Sequence, residues 1–180
     1  MSRARVIALV AAVAVVSAAA GAGYHWWSRA GDPGGEAAAR AVSDRVFAAR
    51  FTDLQGGAPT LERWRGQVLV VNFWATWCAP CREEIPVFVR LQDRHGPRGL
   101  QFIGVAFDQP GNVAEFAREF RINYPLLLGG VDIMELMREA GNRAGVLPYT
   151  LVIDRQGRVV SREPGGLKES RLEGLIQPLL

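Results

Sequence analysis

Apolar and polar positions fall into blocks along the chain, and the period within each block points to an element. Residues 68–75, "VLVVNFWA", are apolar almost without a break and rich in β-branched side chains, as a strand buried on both faces requires. Residues 100–108, "LQFIGVAFD", repeat that pattern. Between them "REEIPVFVRLQDR" is helical, with Pro86 inside it to kink the helix. Val113, Phe116, Ala117 and Phe120 recur at helical spacing behind Asn112, an N-cap candidate with Glu115 three residues on. Ile133, Leu136, Met137 and Ala140 do the same behind Asp132 and Glu135. This spacing assigns Phe116, Phe120, Met134 and Met137 to the core.

"YPLLL", residues 124–128, reads as a short strand, and "TLVIDRQGRVVSR" as a hairpin turned at Gly157. Leu172, Leu175, Ile176 and Leu179 mark a closing helix. Upstream, "FAARFTDLQGGAPTLERWRGQ" reads as a short β element with turns at Gly56-Gly57 and Arg65-Gly66. The order is strand, helix, strand, helix, helix, hairpin, helix. It predicts an α/β sandwich, a mixed sheet flanked by helices with one antiparallel edge.

The first 27 residues differ from the rest. Residues 6–23 carry no charge, Arg3 and Arg5 precede them, and Tyr24, Trp26 and Trp27 follow. This is the pattern of a membrane anchor with a cytoplasmic N-terminus and an aromatic belt on the far side. A cleaved signal peptide is the rival reading, since small residues end the run. The aromatic border favours retention. No cysteine stands near the end of the run, which excludes a lipoprotein. Either reading places the body of the chain outside the cytoplasm, in an oxidising compartment. The expected organisation is an anchor at 1–27, a tether at 28–44 rich in Gly, Ala and charge, and one domain at 45–180.

Composition narrows the picture a little. With 180 residues, 49% of them apolar, the chain can bury one proper core. The net charge of +3 comes from scattered arginines, the mark of solvation rather than a nucleic-acid surface.

The chemistry lies in "NFWATWCAPCREEIP", residues 72–86, which holds the chain's two cysteines, Cys78 and Cys81. A zinc site needs four ligands, and His25 and His95 are poorly placed to complete one. A structural disulfide across so small a loop restrains little of the unfolded chain. Redox chemistry fits. Cys78 stands between a buried strand and a helix start, where free N–H groups and the helix dipole favour a thiolate. Cys81, one turn deeper, is shielded and placed to resolve a mixed disulfide formed by Cys78. Pro80, with no N–H, suits the first turn and stiffens it. Trp77 is expected to line a client surface and Trp74 to pack in the core.

"NFWATWCAPC" resembles the active-site segment of thioredoxin-fold proteins, including the tryptophan before the first cysteine and the placing of Pro80 and Pro86. "GVLPYTLVID" resembles their second signature, a loop whose cis-proline faces the dithiol. "LERWRGQVLVVNFWATWCAPCREEIP", a central "FDQPGNVAEFAREFRINYPLLL" insertion and an N-terminal anchor are similar to the TlpA/ResA group of membrane-tethered extracytoplasmic thiol-disulfide oxidoreductases. The resemblance spans residues 45–180. It implies a thioredoxin-like fold, disulfide-bearing client proteins, a membrane thiol donor of the DsbD/CcdA kind and no bound cofactor. It also implies that Pro148 is cis and leaves the Leu147 backbone open to pair with an extended client. Thioredoxins carry an aspartate at the position of Asn72. The TlpA/ResA pattern instead has a glutamate where Glu84 stands, one helix turn after Cys81. A carboxylate partly buried there would have a raised pKa and could exchange a thiol proton; the other reading of Glu84 is a solvated helix charge, as Glu83 is read. Tyr149 replaces a common threonine and is expected to alter the client groove.

The leading function is a tethered reductase of client disulfides, and the resemblance implies clients such as haem-binding cysteines of apocytochrome c or copper-site thiols. Two alternatives stand beside it. A redoxin-type peroxidase would carry threonine where Ala75 stands, and a copper-binding or chaperone module would want Met or His near the cysteines.

Overall fold

The computed structural model describes residues 33–180 and, before them, only Val13, Ala14, Val16, Ser17 and Gly21, all helical. Most of the run at 6–23, with its aromatic border, therefore lies outside the described residues. Among the described residues no helix is long and apolar enough to cross a membrane.

Helix α1, Pro33–Ala48, runs through most of the stretch read as a tether. Alanines favour the helix, and its C-terminal half is fixed by burying Val46 and Phe47 in the core. The strands are β1 (Thr52–Asp53), β2 (Val68–Trp74), β3 (Leu100–Ala106), β4 (Leu126–Leu128), β5 (Tyr149–Ile153) and β6 (Val159–Pro164). The later helices are α2 (Ala79–His95), α3 (Pro110–Glu119), α4 (Val131–Glu139) and α5 (Glu169–Ile176). Strands β2, β3 and β4 are parallel at the centre, and the full order is β1-β4-β3-β2-β5-β6. Strand β1 pairs antiparallel with β4, and β5 and β6 run antiparallel on the other side. Both edges are thus antiparallel, where the sequence pattern pointed to one. The extra edge is the two-residue β1, too short for any periodicity to reveal.

Strand alternation sorts the core into two faces. Leu69, Val71 and Phe73 of β2 face one layer with Val46, Phe47, Ile133, Leu136 and Met137. Val68 and Val70 face the other, against Phe88 and Leu91 of α2 and Leu172 and Ile176 of α5. Trp74 ends β2 on this second face, with Cys78, Cys81, Ile85, Val113 and Phe116. Its seat requires a glycine in β3: a Cβ on Gly104 would lie 3.0 Å from Trp74 Nε1 and 2.6 Å from Leu126 Cδ2.

Two helix starts differ from the sequence reading. Helix α3 is capped by Gln109 and begins at Pro110, leaving Asn112 inside its first turn, where its amide donates to Asp108 Oδ1 at 2.8 Å. Proline takes the first helical position because the N–H it lacks would have no helical partner there. Helix α4 is capped by Gly130, so Asp132 sits in the first turn, where the dipole favours its charge. Met134 is 43% exposed rather than core. It lies one step around the helix from the stripe of Ile133, Leu136 and Met137.

Candidate active site

The chain leaves the buried end of β2 at Trp74 and turns at once, Cys78 N donating to Ala75 O at 3.2 Å. Cys78 is the N-cap of α2, and Pro80 lies in the first turn. Four residues of tight turn carry the reactive segment from strand to helix, so Cys78 stands at the helix end whose first N–H groups have no helical partner. Cys78 and Cys81 are joined as a disulfide, their Cα atoms 5.3 Å apart. Cys78 retains 6% exposure and Cys81 none. Access is therefore narrow and falls on the first cysteine. Trp77, next to it, is 71% exposed.

The register pairs Phe73 with Tyr149, which brings the preceding Leu147–Pro148 segment to the end of β2 that bears the cysteines. Leu147 packs against the cluster containing both of them. The Leu147–Pro148 bond is cis, and Pro148 O accepts from Gly165 N at 2.8 Å. Tyr149 lies elsewhere. Its ring is buried on the opposite face of the sheet, and its hydroxyl donates to Ala140 O at 2.8 Å. One residue along a strand reverses the face, so Tyr149 supports the core under α4 and lines no client groove.

Thr150 points the other way, and there it meets the site's buried polar group. Glu84, almost fully covered, accepts from Asn72 Nδ2 at 2.8 Å and from Leu167 N at 2.9 Å. Asn72 also donates to Thr150 Oγ1 at 3.0 Å. Burial pushes the Glu84 carboxyl up to about 7, even though the bonds from Leu167 and Asn72 pull the other way. The same burial and the nearby Glu84 charge hold the Tyr124 hydroxyl protonated. Glu84 thus stands one turn beyond Cys81, poised to gain or lose a proton near neutrality. Above it Pro80, Val87, Gly166, Leu167 and Lys168 line an open groove. Among the described residues no group of three or more His, Cys, Asp and Glu is arranged to hold a metal ion.

Sequence reasoning missed three members of the site. Thr150 was legible in principle from strand parity after Pro148. Leu167 contributes only its backbone N–H, which no side-chain pattern marks. Thr76 ties the reactive turn down, its hydroxyl donating to Asp108 and its carbonyl accepting from Arg82.

The profile of the AhpC/TSA family matches residues 42–162. The thiol-disulfide oxidoreductase ResA of Geobacillus kaustophilus is 31% identical over 130 residues, 72% of each chain. The chain belongs to the AhpC/TSA family, as a ResA-like thiol-disulfide oxidoreductase. A solved thiol:disulfide interchange protein of the thioredoxin family from Chlorobium tepidum is 27% identical. It superposes with a TM-score of 0.65 over 73% of this chain and 94% of its own. A secreted disulfide oxidoreductase of Mycobacterium tuberculosis shares the fold at 18% identity, with a TM-score of 0.65 over 76% of this chain and 99% of its own. In this ResA-like oxidoreductase the thioredoxin-like sheet sets the cysteine pair above one buried carboxylate.

Proposed function

We propose that the protein is a membrane-tethered, extracytoplasmic reductase of client disulfides. The observation that carries this reading is the Cys78–Cys81 disulfide at the start of α2, with Glu84 buried one turn beneath it. In the reduced protein, the Cys78 thiolate attacks one sulfur of a client disulfide. The client S–S bond breaks, a mixed disulfide forms, and the departing client thiolate takes a proton from solvent. Cys81 then gives its proton to Glu84 and attacks Cys78 Sγ. The second client sulfur leaves as a thiolate, and two electrons have passed to the client. The oxidised protein is recharged by a membrane dithiol donor of the DsbD/CcdA kind. The resemblance to the TlpA/ResA group supports haem-binding cysteines of apocytochrome c, or copper-site thiols, as clients. The uncharged run at 6–23 and its flanking residues support the tether and the side of the membrane.

The test is the reduction potential of the full-length protein in detergent, equilibrated against glutathione mixtures. A reductase should lie at or below about −200 mV, while a value near about −120 mV would make it an oxidant of clients. Rapid peroxide consumption by the reduced protein would instead favour the peroxidase reading.

A further inference from the structure

Several arginines pair with carboxylates: Arg65 with Glu62, Arg90 with Glu169, Arg94 with Glu173 and Arg158 with Asp154. Arg82 is held differently. Its guanidinium lies 5.0 Å from the ring centre of Phe116 and 5.3 Å from that of Phe120, both at the α3 side of the site. Those two rings are themselves stacked, with centroids 4.0 Å apart. Its Nη1 donates to Thr76 O at 3.2 Å. Among the described residues it makes no ion pair with a carboxylate.

The position matters because Arg82 follows Cys78 by one helical turn, its backbone N donating to Cys78 O at 3.2 Å. Residues four apart share a helix face. The side chain then reaches back toward the N-terminus to Thr76, two residues before the nucleophile. Phe116, which supports the cation, shares the buried cluster with Cys78. We propose that Arg82 is a positioning residue of the thiol exchange, a clamped positive charge beside the reactive turn that favours the Cys78 thiolate. The aromatic pair of α3 fixes the charge at small entropic cost, and the Thr76 carbonyl aims it. This inference rests on Cys78 being the nucleophile.

Other charges face the same turn. Glu83 and the buried Glu84 belong to α2, Asp108 follows β3 and holds the Thr76 hydroxyl, and Lys168 borders Pro80 from the loop before α5. The cis-proline segment, Leu147–Pro148, brings none. Arg82 is solvent-exposed, so its effect is moderate and sensitive to salt.

The experiment measures the apparent pKa of Cys78 from the pH dependence of iodoacetamide alkylation of the reduced full-length protein, with mass spectrometry locating the adduct. Arg82→Gln should raise that pKa by about half a unit, a threefold slower alkylation below the pKa with the plateau at high pH unchanged. Arg82→Lys should keep at least half of the wild-type advantage, because the charge remains. Phe120→Leu, which removes one ring from the clamp, should shift the pKa in the same direction as Arg82→Gln. In 1 M salt the difference between wild type and Arg82→Gln should shrink. Repeating the pair in a Glu84→Gln background separates the thiol from the carboxyl titration, and the shift should persist there. An unchanged pKa in Arg82→Gln would overturn the proposal, and so would equal shifts in the Gln and Lys variants. If wild-type alkylation falls on Cys81 instead of Cys78, the assigned nucleophile fails, a result distinct from an unchanged Arg82→Gln.

Discussion

Asn72 Nδ2 lies 2.8 Å from Glu84 Oε1, and this one bond joins the middle of the central strand to the active-site helix. The amide orients the carboxylate while adding no charge of its own. With Leu167 N on the other oxygen, Glu84 has a partner for each oxygen atom and almost no solvent. Its proton affinity is therefore set mainly by burial.

That burial makes stability depend on pH with a defined sign. The Glu84 carboxyl is pushed from 4.5 up to about 7 in the folded protein. Below pH 4.5 both folded and unfolded chains hold the proton, and Glu84 contributes no slope. Between 4.5 and about 7 only the folded chain holds it, so stability falls as pH rises. Above that window the loss is complete, on the order of 3 kcal/mol. Glu84→Gln should abolish the slope. It should be about 2 kcal/mol more stable than wild type at pH 8, after about 1 kcal/mol for one poorer hydrogen bond. Urea unfolding of the oxidised protein at pH 4.5, 6 and 8 checks this, and parallel curves for the two proteins would contradict it.

Asn72→Asp would set a second carboxyl against Glu84. Two carboxyls at that separation share one proton, and the pair should titrate with apparent values spread apart, the upper one above that of Glu84 alone. The pH profile of mixed-disulfide resolution should move in the alkaline direction by about one unit. Stopped-flow release of a client thiol across pH reads this directly. An unmoved profile would show that Glu84 takes no part in resolution.

Tyr149 is a core residue with a polar tip. Ala140 O accepts both its hydroxyl, at 2.8 Å, and Arg162 Nε, at 2.9 Å. Tyr149→Phe leaves Arg162 on that carbonyl, so the loss should be about 1 kcal/mol of stability. Tyr149→Thr empties a ring's volume and should destabilise by about 3 kcal/mol. Client-exchange rates of Tyr149→Phe should match wild type. A selective change in those rates at unchanged stability would return Tyr149 to the client surface.

What the sequence made legible follows from which physics is local. The β2 and β3 runs are continuous and the α4 stripe is periodic, and the structure has them within a residue or two. The Cys78–Cys81 spacing needs only a helix start. Caps were less readable, because Gln109 and Gly130 cap their helices ahead of the better-looking Asn112 and Asp132. Glu84 was marked by the resemblance to the TlpA/ResA pattern, not by periodicity, and its depth depends on Asn72, Thr150 and Leu167, drawn from three separate segments. Leu167 is 83 residues from Glu84 and acts through its backbone. The burial of Tyr149 follows from strand parity. Once Pro148 is placed at the cysteine end, strict alternation sends Tyr149 and Thr150 to opposite faces.

The N-terminal segment makes its own prediction. The run at 6–23 should remain part of the mature chain and hold it in the membrane. N-terminal sequencing of the mature protein from a membrane fraction should find a start near Met1. A start near Gly21 or Gly23 would describe a released enzyme.

The division of labour between the thiols gives the most direct test. Cys78 caps α2 and keeps the only access, 6% against none for Cys81. A helix N-terminus favours the thiolate form of a cysteine placed there, and Arg82 follows Cys78 by one turn. Cys78 should attack first, and Cys81 only after the mixed disulfide forms. Cys81→Ser should therefore attack a client without releasing it, accumulating a covalent complex through Cys78. Cys78→Ser should accumulate at least tenfold less, because its remaining thiol is buried and less ionised. Non-reducing gels of the two variants, with mass spectrometry of the captured partner, read the outcome. Equal trapping by both would remove Cys78 as the nucleophile. Trapping by neither, in oxidising medium, would remove disulfide exchange with a protein client. If both variants instead lose a bound metal alike, the pair serves as a ligand set. A complex specific to Cys81→Ser would reveal the client class in the same gel.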